Sequence, residues 1–478
     1  MSSLTLTLLH TNDLHGRVPQ LAHIGTLVSE IRENVVSKGG YCLYLDAGDS
    51  EDSILLESAL TRGSAMEAIL RGAGCDQVAL GNAIPFRYGI QAIEGLAESF
   101  GKPLLCANMF WQDGSRPEGL TPFVIEDFEA FSVGIIEFTA PMNAFQPFKI
   151  ELKPPEDIAP ALVDTVKAEG ADFVMVLSHL GLKNDIRLAE MVQGISVIIG
   201  GHSHDRLKMP LVINDTLIVM AGEFGEILGR LDLEIDTENF SVTHFFEQHI
   251  VVTDQTPEYR PALDVIAAEK QRAQRIMDVE VGRLDTACEL VNGVECRAGN
   301  LLADALMDHF PGADGAFVMG SHWEEGLPAG TITKGQLFSA NRSTGNPGKV
   351  ALTGSQLKQF FSAALNPENI QRSMAVLRGQ SPGFPHVAGI RLRASGEGSG
   401  NWEILLGDEV VKDDDRLTLV TSDLELSEYL NYLTILDEQV EYDIQTILPE
   451  VVEGYLQRHN PLSDVSLGRI TPIDFHTN

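Results

Sequence analysis

From Leu4 to about Asp236, short apolar runs alternate with stretches in which apolar residues return every three or four positions, the pattern of an α/β domain. The runs predict strands at Leu4–His10, Tyr41–Asp46, Gln77–Leu80, Leu104–Ala107, Ser132–Phe138, Phe173–Ser178, Ser196–Gly200 and Leu217–Met220. Between them, LAHIGTLVSEIRENVV (Leu21–Val36) is the clearest helix, with its apolar positions spaced as a core-facing stripe. After Gly229, LDLEIDTENFSVTHFFEQHIVV alternates apolar and polar residues on either side of an Asp-Thr-Glu-Asn turn, which reads as a hairpin closing the first domain. Pro257 to about Val279 carries prolines around its first turn and then helix formers, so a connecting helix is expected. A second α/β unit follows from about Gly282, with helices predicted at Ala298–His309, Gly354–Ala364 and from about Tyr442 to Gln457, and with loops at Arg393–Asn401 and Lys412–Arg416. The chain thus divides into a first domain over 1–255, a linker helix over 256–281 and a second domain over 282–478.

Composition narrows the partners. The 478 residues hold 34 Lys+Arg against 68 Asp+Glu, a net charge of −34, which excludes a general nucleic-acid or acidic-membrane binder because phosphate contacts need a basic face. Any phosphate-bearing ligand then needs a local cationic site. Hydrophobic residues at 44% and charged residues at 21% are ordinary globular values, so the chain is expected to fold throughout. Five cysteines without CxxC spacing suit a reducing compartment, with Cys42, Cys75 and Cys106 beside apolar runs as buried thiols. The start, MSSLTLTLLHTND, reads as a strand rather than a signal sequence, and no apolar run reaches the roughly 18 residues of a membrane span. A cytoplasmic protein without membrane partners is the expectation.

The candidate chemistry sits at the ends of predicted strands, where open α/β sheets collect their ligands. HTNDLHGR supplies Asp13 and His15, DAGDS supplies Asp46 and Asp49, GNA supplies Asn82, LSHLG supplies His179, and GGHSHD supplies His202 and His204. Asp-x-His and His-x-His place two donors on one side of an extended segment, and the interspersed glycines permit tight turns. Mixed carboxylate, imidazole and amide oxygen donors suit two divalent ions about 3.5–4 Å apart, with Asp49 as the natural bridge, acting on an ester through a metal-activated water. Imidazole-rich ligation points to Zn, Mn, Fe or Co. Asp46 reads as a brace behind the ligands.

These ordered motifs resemble those of the calcineurin-like metallophosphoesterases, specifically the two-domain 5'-nucleotidase family. RAGNLLADAL (Arg297–Leu306), GTITKGQLF and LTGSQLKQFF resemble that family's later segments, so the likeness covers nearly the whole chain. The resemblance implies a four-layer αββα metallophosphoesterase sandwich followed by a smaller α/β domain like the family's C-terminal domain. It further implies that one ion takes Asp13, His15, Asp49 and His204, and the other Asp49, Asn82, His179 and His202. The function implied is metal-dependent hydrolysis of a phosphate monoester, a nucleotide or a related small anion.

The sequence departs from the family at two places. Where the family reads Gly-Asn-His, this chain has GNAIPFRYG, with Ala83 in the position of the His and Arg87 near that of a following Asp. A methyl group cannot donate a hydrogen bond, and losing one donor to developing charge costs on the order of 10²–10³ in rate. Arg87 and His322 are the candidates to replace it. In the second domain the family's Arg-bearing nucleotide block is MGSHWEEG (Met319–Gly326), and its aromatic stacking loop is DLELSEYL (Asp423–Leu430). Trp323, read as an exposed loop aromatic, and Asn341 are the candidates for substrate contact. Ala83 also carries the alternative readings: a weak or inactive homologue that binds a ligand or protein partner, or a hydrolase of a non-phosphate anion.

Overall fold

In this computed structural model the described residues are 3–52, 55–141, 150–374, 380–394, 402–427, 430–433, 435 and 439–471. The alternation in LTLTLLHT becomes the strand Ser3–Thr11, which sends Leu6 and Leu8 into a core shared by two sheets. That strand lies at the centre of a five-stranded sheet ordered Val242–Val251, Ile227–Asp236, Ser3–Thr11, Tyr41–Asp46, Gln77–Val78. Its last three strands are parallel, and the expected hairpin forms its antiparallel edge. A second, six-stranded sheet runs Leu211–Ile213, Thr216–Val219, Val197–Gly200, Phe173–His179, Ser132–Thr139, Phe123–Asp127, with its four inner strands parallel.

The layer order follows from which faces are apolar. Phe173–His179 is buried on both faces, as its unbroken apolar run requires. Met175 and Leu177 meet Leu6, Leu8, Leu43 and Leu45 between the sheets, while Val174 and Val176 meet Val163, Val166 and Leu188 of the helices Pro155–Ala168 and Leu182–Met191. On the other side, helix Val18–Ser37 turns Leu21, Ile24 and Val28 inward and packs on Tyr41–Asp46. The first unit is therefore an αββα sandwich.

Contacts divide the chain into Met1–Ala273 and Gln274–Asn478, a division that falls inside the expected linker helix, which spans Arg260–Met277. The second unit centres on a sheet ordered Pro385–Ala388, Gly315–Met319, Arg416–Ser422, Pro347–Thr353, Val440–Tyr442. Phe317, Phe360, Phe361 and Leu419 fill its core. Helices Arg297–His309 and Gly354–Ala364 form where expected, the latter closed by a capping box from Thr353 and Gln356. The last helix is shorter than expected: it runs Leu448–Arg458, because Val440–Tyr442 joins the sheet edge and Pro449 opens the helix at its first turn. All five cysteines are buried free thiols. Among the described residues no helix is long and apolar enough to cross a membrane.

Candidate metal centre

The first two strands of the sandwich do not separate where they end. Ala47 N donates to Thr11 O (2.9 Å), Asp13 N to Gly48 O (3.0 Å) and His15 N to Asp49 O (3.1 Å), so the two following loops stay zipped together and deliver Asp13, His15 and Asp49 side by side. From the third strand, Asn82 N and Ala83 N both donate to Asp49 Oδ1, at 2.8 and 2.9 Å. Gly81 makes this approach possible: a Cβ there would run into the Asp49 carboxylate and its backbone nitrogen. The second sheet contributes His179 at the end of its strand and His202 and His204 just past Gly200, with His202 N donating to Asp13 Oδ2 at 2.9 Å.

The donor atoms converge on two groups. In one, His204 Nε2 and His15 Nε2 lie 3.3 and 3.8 Å from Asp13 Oδ1 and 3.2 Å from each other. In the other, His179 Nε2 lies 3.2 Å from Asp49 Oδ2, with Asp13 again within reach. Within each group the ligand atoms lie within 4.8 Å of one another, and Asp13 is common to both. His202 Nδ1 stands 2.9 Å from Asn82 Oδ1 beside them. These residues fit divalent ions: Asp13 Oδ1 and His179 Nε2 are buried without a hydrogen-bond partner, and leaving such a group unsatisfied costs about 1–3 kcal/mol. Carboxylate and imidazole around one point are also the donor set of the first-row transition ions.

Outer groups fix the orientation of the rings. His179 Nδ1 donates to Ala47 O at 2.8 Å, which turns Nε2 toward the carboxylates. Glu223 Oε2 does the same for His204 Nδ1 at 2.5 Å. Asn12 donates to Asp13 Oδ2 at 2.7 Å. Asp46 accepts from Thr11 Oγ1 (2.5 Å) and Gly48 N (3.0 Å), and burial pushes its carboxyl up to about 7. Burial alone would lower His179, but the Asp49 charge beside it holds the ring at about 10. Asp49 is in turn held well below the usual carboxylate range by His179, against the effect of its own burial. His204 is raised by the Asp13 carboxylate beside its Nε2, and His202 is lowered by burial and by the charge of His179.

The backbone is strained at the same residues. Asp13 (φ 51°), His15 (43°), Asp49 (53°), His202 (73°) and His204 (57°) all occupy the left-handed region. Each such residue costs of order 1–3 kcal/mol and persists only where its surroundings enforce it, and such costs cluster at functional sites.

The sequence candidates outside this centre have other surroundings. Arg87 lies within the short helix Ala83–Tyr88, but its side chain lies outside the described residues. His322 is buried in the second unit, with Nδ1 2.7 Å from Ser343 Oγ and Nε2 2.9 Å from Glu425 Oε1. Trp323 is 4% exposed rather than a free loop aromatic: the turn Gly320–His322 folds it inward, where it lines a cavity of 380 Å³ with Phe384 and His386. Asn341 is fully buried and accepts from Ser343 N at 3.1 Å, holding its own loop. Two residues that pattern reading passed over, Asn12 and Glu223, brace the ligands. Asn12 was legible as a polar neighbour of Asp13, whereas Glu223 carries no spacing signal.

A family model described as "5'-nucleotidase, C-terminal domain" matches residues 275–434. The chain is 27% identical to the trifunctional nucleotide phosphoesterase protein YfkN of Bacillus subtilis over 80% of its length, but it spans only 28% of that longer protein. It is 23% identical to a 5'-nucleotidase of Vibrio parahaemolyticus, covering 99% of this chain and 92% of that one. Among solved structures, the NAD nucleotidase of Haemophilus influenzae superposes with a TM-score of 0.60 at 18% identity, covering 98% of this chain and 99% of that one, a likeness of fold.

Proposed function

Since the chain belongs to the two-domain 5'-nucleotidase family of calcineurin-like metallophosphoesterases, we propose that it is a metal-dependent hydrolase of a small phosphate monoester, a nucleotide or a related anion. The observation that carries this reading is the pair of buried, unpartnered atoms, Asp13 Oδ1 and His179 Nε2, at the meeting point of two donor groups. Asp13, His15, Asp49 and His204 would hold one divalent ion and Asp49, Asn82, His179 and His202 a second, with Mn, Zn, Fe or Co suited to the imidazole donors. Bound there, such ions supply neutralisation of phosphoryl charge and activation of water.

The chain's own part is to hold and orient. Asp13 and Asp49 bring the negative charge that retains cations. Ala47 O and Glu223 set which nitrogen of His179 and of His204 faces inward. At position 83, Ala83 offers only a backbone N–H, already committed to Asp49, so its side chain gives the substrate no donor. The net charge of −34 favours a small ligand held by local cations over a nucleic acid.

The test is phosphate release from nucleoside monophosphates, diphosphates, cyclic nucleotides and sugar phosphates by protein loaded with Mn, Zn or Co. Metal-dependent release is expected, and Asp49→Asn should reduce it on the order of 10³-fold or more, with loss of bound metal. Release that is indifferent to added metal, or unchanged in Asp49→Asn, would overturn the reading.

A further inference from the structure

We propose that Arg17 is a substrate-binding residue: its guanidinium, stacked on Phe224 beside the open edge of the metal centre, takes the phosphoryl oxygens of the substrate. The proposal rests on the phosphoesterase reading above and adds to it a substrate contact from the last residue of HTNDLHGR, the motif that also supplies Asp13 and His15.

Three observations carry it. First, the centre is open on one side. Asp13 and His179 have fully buried side chains, whereas those of His15 and His204 are 20% and 37% exposed, so a ligand reaches the centre past these two rings. Second, Arg17 is on that side. Its Cζ lies 4.3 Å from the centre of the Phe224 ring, which lies 6.0 Å from the ring of His15 and 6.4 Å from that of His204. Phe224 N donates to Asp13 O at 2.9 Å, so the ring beneath the guanidinium is anchored to the backbone of a candidate ligand. Third, Arg17 has no carboxylate partner among the described residues. Its polar contact is a long one, Nη1 to His15 O at 3.5 Å. Arg32, Arg187, Arg230, Arg297 and Arg469 all pair with Asp or Glu within 3.2 Å.

In a chain with twice as many acidic as basic residues, an arginine kept clear of carboxylates beside a cation-binding centre is available to an anion. Glu223, the nearby acid, is already engaged by His204 at 2.5 Å. A guanidinium held over an aromatic face by its cationic carbon keeps N–H groups free for an anion, and those groups can grip a phosphate through two parallel hydrogen bonds. Arg17 thus provides what the methyl of Ala83 lacks, a donor to phosphoryl oxygen, from a different loop.

The test uses the full chain loaded with Mn. Orthophosphate affinity is measured by titration calorimetry, bound Mn by elemental analysis, and hydrolysis of p-nitrophenyl phosphate by steady-state kinetics. Arg17→Gln should weaken orthophosphate binding about tenfold or more and raise KM in step, with Mn content unchanged, while Arg17→Lys, a charge without the fork, should fall between it and the parent. Unchanged orthophosphate affinity in Arg17→Gln overturns the proposal. So does a loss of Mn in both variants that matches the loss of affinity, since Arg17 would then only shape the ligand loops. If the parent binds Mn and orthophosphate but releases no phosphate from any ester, the phosphoesterase reading fails while the titration still judges Arg17.

Discussion

His179 in the first unit and His322 in the second are both buried, both face a buried carboxylate, and differ in what surrounds the pair. Glu425 meets His322 at 2.9 Å and also accepts from Met319 N at 2.8 Å, from Ser422 Oγ and from Thr421 Oγ1, while Ser343 Oγ takes the other ring nitrogen. Every polar atom of that histidine has a partner. His179 Nε2 lies 3.2 Å from Asp49 without a formed hydrogen bond, and Asp13 Oδ1 beside it has no donor at all. A buried histidine facing an acid is therefore not in itself a sign of chemistry. A completed network holds a fold together, whereas buried ligand atoms that lack protein partners form the donor set of a cation site.

If this contrast is right, the two histidines should fail differently. His322→Ala leaves Glu425 buried without its counter-charge, so the second unit should lose about 3–5 kcal/mol of stability, as for other broken buried pairs, with bound metal unchanged. Denaturant unfolding with elemental analysis checks this, and a loss of metal in that variant would break the comparison. A smaller effect sharpens the first unit's side. Ala83→His, which places a donor next to Asp49, should raise kcat by about ten- to a hundredfold without altering metal content, part of the 10²–10³ that one such donor is worth. A variant no faster than the parent would show that another group already supplies that contact.

The smallest effect concerns pH in metal-free protein. In the first unit, burial raises Glu137 to about 8 and Asp185 to about 7, and His179 stands near 10 against an ordinary 6.5. All three folded values lie above the unfolded ones, so their stabilising contribution is complete below the unfolded values. It is lost as pH rises, through about 7 and 8 for the acids and about 10 for His179. The second unit has a milder case in Asp423, raised to about 6. Between pH 6 and 9 the first unit should therefore destabilise more than the second, as hydrogen exchange resolved by segment after chelation would show. Equal protection changes in the two units would contradict it.

What could be read in the sequence follows the same division. Asp13, His15, Asp49 and His179 were legible because each ends or follows an apolar strand, and strand ends are fixed by local pattern. Glu223 was not legible. Its loop reaches His204 because Gly222 N donates to Asp205 O and Arg206 pairs with Ala221, contacts between segments with no shared periodicity. Trp323 was read as exposed because its neighbours are polar, yet the turn before it buries the indole. The start of the last helix was misplaced for a similar reason: Val440–Tyr442 is apolar enough for either state, and the partner strand Pro347–Thr353 decides.

The left-handed backbone at five of the seven candidate ligands sets a cost against the side chains that stand there. Glycine would relieve that strain at Asp13, His15, Asp49, His202 or His204, and would remove a donor atom at the same stroke. Stability and cation retention are therefore opposed at the same five positions, an opposition written in backbone angles rather than in side-chain chemistry.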